Sequence, residues 1–473
     1  MKMTTMELSN ERRSVHKFLP NSEDSVRNEM LRKIGLSSVE QLFSDVPEDL
    51  KMKRPLDVPD SLSEIELERA VRSKLSKNMS APDLLNFIGG GVWIHHVPSI
   101  IDEILSRGEY YTAYTPYQPE ISQGMLQGMF EYQSEICELT SMDVANSSMY
   151  DWATALGEAG RMAARVTRRQ KILVAKNASP ERIGVLKTYC YPAGIELEEV
   201  NFDPRDGITQ TDVVENHLDD SIAAIYVENP NFFGVIEESI EAIADLAHKR
   251  GALLIEGVNP VTLGVLKPPG QLGVDIVVGD GQPLGLYPNL GGPLIGLFAI
   301  RDDPNLLRQM PGRLIGETTS RDGTRRGFTM VLQTREQHIR REHATSNICT
   351  NEALFAIAVA IFLSTMGPQG MRELGQQIIA RSHFASELMQ EEGLRAPYFN
   401  GSYFGELSFQ SKIDSIALTK RLFRHNILGG LPMKRFFPAE PRLSNVSSFS
   451  FTELHSEEDI EKLVSALKQI ESG

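Results

Sequence analysis

Residues 274–301 read VDIVVGDGQPLGLYPNLGGPLIGLFAIR, and the parsing of this stretch decides the fold. The apolar run Ile276–Val278 has the length of a buried strand, stops at Gly279-Asp280-Gly281, and is followed by a second apolar run, Leu294–Ile300. Between them stand glycines at 279, 281, 285, 291 and 292 and prolines at 283, 288 and 293. That composition leaves no room for a crossover helix, so the two strands are expected to run antiparallel. Loops that follow core strands are where chemistry usually sits. This one offers no Lys, Ser, Cys or His, and its tip is Gln282.

Upstream, apolar runs recur at Ile172–Ala175, Ile222–Val227 and Ala252–Ile255, with an alternating run at Ile195–Val200. Helical stretches such as Ser179–Tyr189 and Ser239–Arg250 separate most of them. Strands alternating with helices predict an α/β domain with a mostly parallel sheet covered on both faces. Ligands in such folds bind at the carboxyl ends of the strands, which here carry Asn229-Pro230-Asn231, Glu256-Gly257-Val258-Asn259 and Gly279–Gln282.

Beyond about Thr334 the pattern changes. Glu352–Thr365 is apolar almost all round and reads as a buried helix, Met371–Met389 as another, and Ser402–Phe451 as short strands with one helix. Ser456–Ile470 closes the chain as an amphipathic helix capped by Ser456. Ahead of the sheet, Ser25–Ile34 spaces Val26, Met30 and Ile34 along one helix face, and Ser61-Leu62-Ser63-Glu64 has capping-box spacing before a helix to about Leu75. The expected organisation is an N-terminal helical arm (1–75), a large α/β domain (76–333) and a smaller α+β domain (334–473), without internal repeats.

The chain has 473 residues, 41% hydrophobic and 23% charged, with a formal charge of −15. An acidic total argues against nucleic-acid binding, no apolar run nears the roughly 18–20 residues of a membrane span, and the first residues lack the apolar core of a signal peptide. Cys137, Cys190 and Cys349 form no CxxC pair and read as small reduced thiols, which points to the cytoplasm.

Tyr110–Gly124, YYTAYTPYQPEISQG, is rich in tyrosine and stiffened by proline. Rigid amphipathic side chains of this kind suit interfaces and pockets. Ala145–Ala159, ANSSMYDWATALGEA, places Asn-Ser-Ser ahead of a helix, where Ser147 and Ser148 could cap it or hold a phosphate. His95 and His96 follow Gly89-Gly90-Gly91; in a strand they would point to opposite faces and share no metal. Arg335–His343 reads as a solvated helix face, with Arg340 and Arg341 as candidate anion ligands.

Five segments together resemble one family: YTAYTPYQPEISQG (111–124), VANSSMYDWATALGEA (144–159), NPNFFGVIEE (229–238), GDGQPLGLYPNLGGP (279–293) and TREQHIRREHATSNICTN (334–351). The chain is similar to the P-protein of the glycine cleavage system, glycine decarboxylase, and within it to the first subunit of the split form, which matches the N-terminal half of the fused enzyme. The resemblance runs from about Phe18 to the last helix.

It implies the aminotransferase-like fold of pyridoxal-phosphate enzymes (fold type I). It also implies the activity of glycine dehydrogenase (aminomethyl-transferring, decarboxylating), in which glycine is decarboxylated and its aminomethyl group passes to the lipoyl arm of H-protein, with T-protein and L-protein as functional partners. Such chemistry needs a lysine to hold the cofactor and an acid to keep its ring nitrogen protonated. Matching Gly291-Gly292-Pro293 to the catalytic half puts Gln282 at the lysine position and Glu256, with Asn259 beyond it, at the acid's strand end; Ser147 and Ser148 fall at the phosphate position. Glutamine forms no imine, and Lys267 reads as surface.

The implied complex therefore pairs this chain with a lysine-bearing second subunit, as a heterodimer or a dimer of heterodimers, and that partner covalently holds the pyridoxal phosphate. Tyr111, Tyr114, Tyr117, Gln118, Glu120 and Gln123 are the candidates for lining the partner's site. No residue of this chain is expected to be catalytic alone, and no metal is expected. A structural or regulatory scaffold without a pocket contribution is the alternative.

Overall fold

The apolar runs become neighbouring strands of one sheet. The structure, a computed structural model, describes residues 15–52, 54, 57–79, 84–346, 348 and 352–473. Cys349 and parts of the 334–351 motif lie outside the described residues. The chain forms two compact units, residues 1–78 and 79–473.

Numbered along the chain, the strands are β1 (Leu85–Asn86), β2 (Val144–Ala145), β3 (Lys171–Ala175), β4 (Glu196–Val200), β5 (Ile222–Asn229), β6 (Leu253–Val258), β7 (Ile276–Asp280), β8 (Gly296–Ile300), β9 (Leu314–Thr319), β10 (Arg326–Val331), β11 (Glu406–Gln410), β12 (Ile427–Leu428), β13 (Leu431–Pro432) and β14 (Val446–Ser450). The central sheet has the order β2-β8-β7-β6-β5-β3-β4. β3 to β7 are mutually parallel, while β8 runs antiparallel to β7, as the short connection demands.

Both faces of this sheet are covered, which is why its strands read as continuous apolar runs. Leu173, Ile225, Val227, Leu254 and Val277 face one core with helices Gln123–Thr140 and Ile240–Lys249. Ile172, Val174, Tyr226, Ile255 and Val278 face the other, against Trp152–Thr167 and Pro180–Cys190. In register, Asn229 of β5 lies opposite Val258 of β6, and Val258 opposite Gly279 of β7. The polar ends of these three strands are thus side by side.

The C-terminal part builds a three-stranded antiparallel sheet, β11-β14-β13, whose apolar residues Leu407, Phe409 and Phe449 share a core with Leu418, Leu463 and Leu467 of two helices. Its 402–451 region holds a second short helix, Met433–Phe436, beside the expected Ser415–Phe423. β1 pairs in parallel with β12, so residues just after the arm are stitched to this part.

Several expectations need correction. The arm's capping box is Ser63 with Glu66, not Ser61 with Glu64: Ser63 keeps an extended backbone and Glu64 is already helical. The two helices expected at 352–389 form one run, Ala353–Glu391, broken at Gly367 (φ 60°) just before Pro368. By length and mean hydropathy, 1.6 in its most apolar window, that run is long and apolar enough to cross a membrane, contrary to the expectation of no such stretch. Here its residues Ala356, Val359 and Phe362 pack in the core.

His95 and His96 lie in an irregular loop rather than a strand. His95 Nδ1 sits 2.9 Å from a Glu453 oxygen, and the His96 N–H donates to the same carboxylate. Cys190 is buried and Cys137 half-buried, and burial pushes their thiols up, to about 12 and about 11.

A turn after β6, Pro260–Gly264, approaches the second half of the broken helix so closely that a Cβ on Gly264 would lie 2.6 Å from the Met371 carbonyl carbon. Backbone cannot yield as a flexible side chain can. Gly264→Ala is therefore expected to lower stability by about 1–3 kcal/mol, measured by urea unfolding; an unchanged midpoint would remove the need for this close approach.

Candidate functional site

The ends of β5 and β6 open into a cleft bounded on its far side by Glu406, Ser450 and Thr452. Tyr226 and Glu228 alternate onto one face of β5, and the Tyr226 hydroxyl donates to Glu228 Oε1 at 2.8 Å. Glu228 Oε2 accepts from Arg182 Nη1, also at 2.8 Å. The Trp152 indole N–H donates to the Tyr226 oxygen at 3.2 Å, and the Arg182 guanidinium lies 3.5 Å over the Trp152 ring. This cation–π stack fills the space above β6.

Glycine is required at both ends of the stack. A Cβ on Gly257 would lie 2.8 Å from the Trp152 ring, and one on Gly91 would lie 2.6 Å from Arg182 Nη2. From the other side Glu406 accepts from the Gly90 N–H at 2.6 Å and from the Trp93 indole at 2.9 Å. Burial raises its pKa, against the pull of those hydrogen bonds and of Arg182.

Gln282 is fully buried at the end of β7. Its Oε1 accepts from the Trp93 N–H at 3.1 Å, and its Nε2 donates to the Trp93 and Leu286 carbonyls, each at 2.9 Å. The carboxamide is consumed in pinning the 89–96 loop. Glu256 is buried too; Oε1 accepts from Asn229 Nδ2 at 3.2 Å, whereas Oε2 has no partner. Burial pushes this carboxyl up to about 8, so it is neutral at pH 7. Asn259 lines the cleft while capping the turn that starts at Pro260. Lys267 is remote from the strand ends and faces Glu241.

The phosphate position is also altered. The helix expected after Asn-Ser-Ser begins later, at Trp152, with Asp151 as its cap. Thr154 N donates to Asp151 at 2.7 Å, and Trp152 N points at Asp280 Oδ2 from 3.4 Å. Ser147 and Ser148 are buried ahead of that start, where the Ser147 N–H donates to the Arg313 carbonyl. The first turn's N–H groups thus face two carboxylates. Asp280 is itself lifted to about 7 by burial.

Pyridoxal phosphate does not fit these residues. There is no amine at 282 to hold it, carboxyl groups of Asp151 and Asp280 already face the helix start, and the Trp152 indole and Arg182 guanidinium fill the cleft. Among the described residues no cluster of three His, Cys, Asp or Glu side chains could hold a metal ion.

The Tyr-rich segment lies outside this cleft. Tyr111, Tyr114, Tyr117, Gln118 and Glu120 are exposed. Tyr117 accepts from Arg313 Nη2 at 2.8 Å and meets His338 edge-on, so the segment, the β9–β10 hairpin and the turn Gln337–Arg340 are contiguous. Gln123 departs from its expected role: its Oε1 accepts from the Phe328 N–H and its Nε2 donates to the Phe328 carbonyl, both at 2.9 Å. Gln133 does the same with Ile315, at 2.9 and 3.0 Å. Tyr132, in the helix that follows the segment, is a core residue.

Arg335 and Glu336 are buried rather than on a solvated face; Arg335 donates to the carbonyls of Met310 and Gly312. Arg340 and Arg341 remain exposed. Trp152, Arg182, Glu228 and Glu406 are the residues that sequence reasoning missed. One signal was available: the chain has two tryptophans, 93 and 152, and both serve the cleft.

Two outcomes follow. Glu256 and Asp280, lifted to about 8 and about 7 from 4.5 and 3.8, keep protons in the folded state that the unfolded chain releases. Their contribution to stability is full below the unfolded pKa values and is lost as pH rises through 7–8. The isolated chain should melt higher at about pH 5.5 than at about pH 8.5, and Glu256→Gln should flatten that dependence. Gln123→Ala strips Phe328 of both partners and should cost about 1–3 kcal/mol in urea unfolding; no loss would mean the pairing does not hold the hairpin.

Comparison with known proteins gives concordant findings. The family model described as glycine cleavage system P-protein matches residues 16–467. Probable glycine dehydrogenase (decarboxylating) subunit 1 of Staphylothermus marinus is 46% identical, covering 96% of this chain and 98% of that protein. Its counterpart in Carboxydothermus hydrogenoformans is also 46% identical, covering 95% and 99%. Among solved structures, glycine decarboxylase (P-protein) of the glycine cleavage system in inhibitor-bound form superposes with a TM-score of 0.84 at 40% identity, covering 95% of this chain and 98% of that one. A cysteine desulfurase from Thermococcus onnurineus, with a TM-score of 0.61 at 17% identity over 86% of this chain and 98% of that one, shares the fold alone. The fold is the aminotransferase-like one of pyridoxal-phosphate enzymes.

Proposed function

The chain belongs to the glycine cleavage system P-protein family, and from that premise we propose that it is the first subunit of a two-subunit glycine dehydrogenase (decarboxylating). In this reading the complex decarboxylates glycine and passes the aminomethyl group to the lipoyl arm of H-protein, with T-protein and L-protein completing the cycle in the cytoplasm. The pyridoxal phosphate belongs to the lysine-bearing partner. The observation that carries this is the buried Gln282, whose amide is fully engaged where the cofactor's lysine would stand.

This chain's contribution is then a surface. Tyr111, Tyr114, Tyr117, Gln118 and Glu120 stay exposed on a segment anchored by Arg313 at Tyr117 and by Gln123 at Phe328. Rigid exposed tyrosines are poor value to a lone subunit and useful at an interface. Held against the partner's mouth, they would orient glycine and exclude water through hydroxyl and carboxylate contacts. Exposed apolar side chains of the arm, among them Phe18, Leu50 and Ile65, favour further contact with a partner. A division into arm (1–75), large domain (76–333) and small domain (334–473) accords with a sheet confined to 144–300 and a second confined to 406–450.

Tyr114→Ala and Glu120→Gln test the reading. Both sites are exposed, so stability should change by no more than about 0.5 kcal/mol. In the reconstituted complex, glycine–bicarbonate exchange should fall about tenfold or more with assembly intact. Unchanged turnover would leave this chain a scaffold.

A further inference from the structure

Between the rebuilt cleft and the exposed tyrosines runs the stretch 93–111, and the loop after β7 grips it at three points. Gln282 pairs in both directions with the Trp93 backbone. Gly285, at φ 91°, lets the loop close on Ile101, where a Cβ would lie 2.5 Å from Ile101 Cδ1. The Tyr287 hydroxyl donates to Asp102 Oδ2 at 2.9 Å. Helix Ser99–Leu105 and the turn Gly108–Tyr111 follow directly, with Tyr114 just beyond.

We propose that Gln282 is a positioning residue: it locks the root of the Tyr-rich segment to the sheet, so that the side chains offered to the partner are held at a fixed height, and this lock excludes the lysine-bound cofactor. The proposal rests on the reading that the segment serves the partner's site. The exclusion is chemical. A carboxamide presents a donor and an acceptor, which is what the Trp93 N–H and C=O require. An ammonium presents donors only. Lysine at 282 would leave the Trp93 N–H without its acceptor and bury a cation at a site with no exposure. Behind it the Trp152–Arg182 stack would still fill the cleft, and Asp151 and Asp280 would still face the helix start. Returning one lysine does not restore a cofactor site; it releases the segment.

Hydrogen–deuterium exchange on the isolated chain reads the lock directly. Gln282→Met should speed exchange over 93–111 by about tenfold or more, while the hairpin at 314–331, held by Gln123 and Gln133, stays as in the wild type. Tyr287→Phe, at a half-exposed site whose loss leaves the fold intact, should shift the same peptides less and in the same direction. Gln282→Lys incubated with pyridoxal phosphate and borohydride should trap no pyridoxyl group on residue 282.

In the complex, Gln282→Met should lower kcat about fivefold or more, with the KM for glycine and the partner's pyridoxal absorbance within about twofold. Because partial loss of assembly also lowers apparent kcat at constant KM, kcat is read per complex isolated at full stoichiometry by size exclusion. Unchanged exchange over 93–111, or a pyridoxyl group trapped on Gln282→Lys, overturns the lock. Faster exchange with undiminished kcat overturns the positioning role. If Tyr114→Ala and Glu120→Gln still impair turnover in that case, the fault lies in the lock; if they do not, it lies in the reading of the segment.

Discussion

A glutamine carboxamide carries one donor and one acceptor on a single plane, the same pair that a peptide bond presents. Buried, it can close a strand-like pair with a residue far away in sequence and leave no polar atom orphaned. The chain does this at least three times: Gln282 with Trp93, Gln123 with Phe328, and Gln133 with Ile315. Gln123, at the start of one helix, and Gln133, near its middle, hold both strands of the β9–β10 hairpin, which as an isolated two-stranded ribbon would be marginal. Gln282 holds the loop that leads to the tyrosines. On the hairpin these pairs act beside an apolar cluster in which Ile315, Phe328 and Met330 pack on Met125, Leu126 and Met129 of the helix.

On the proposed reading, the cleft shows how this fold packs its strand ends without a lysine-held cofactor. An empty slot at the strand ends would leave polar groups and sheet backbone facing a void, a costly state. The slot is instead filled by planar groups: an indole against Gly257 and a guanidinium against Gly91. The charge of Arg182 is balanced by Glu228, which Tyr226 also holds. At the helix start Asp151 accepts from the Thr154 N–H, and the Asp280 carboxyl faces the Trp152 N–H.

Much of this was legible in the sequence, for identifiable reasons. The β5–β8 strands announced themselves because burial on both faces removes polar interruptions, and the glycine- and proline-rich 279–293 loop forced the antiparallel turn-back. Gln282 stood out because the chemistry of the position is all or none. What stayed hidden was pairwise. Arg182 is one arginine in an ordinary helix and Glu406 one acid at the start of a strand; only the fold brings them to Trp152 and Trp93. Gln123 read as one more polar residue among tyrosines, since nothing local reveals that Phe328, two hundred residues on, takes both ends of its amide. Asn-Ser-Ser misled because the residue that caps the helix, Asp151, follows three residues later.

The loop after β7 carries no reactive group at its tip, and the Gln282 amide there is engaged with backbone. In a lysine-bearing subunit that position must stay open to substrate; here it is closed by hydrogen bonds to the very loop that precedes the Tyr-rich segment. A buried reciprocal amide pair is directional and tolerates little displacement, whereas a solvent-facing lysine is a flexible point charge. A site without a reactive group is free to be rigid, and rigidity at the root of an exposed segment is what an interface needs, because ordering a loose loop on association costs affinity. Retaining the whole fold for one fixed surface is then intelligible: the sheet and its loop are the frame from which the tyrosines project.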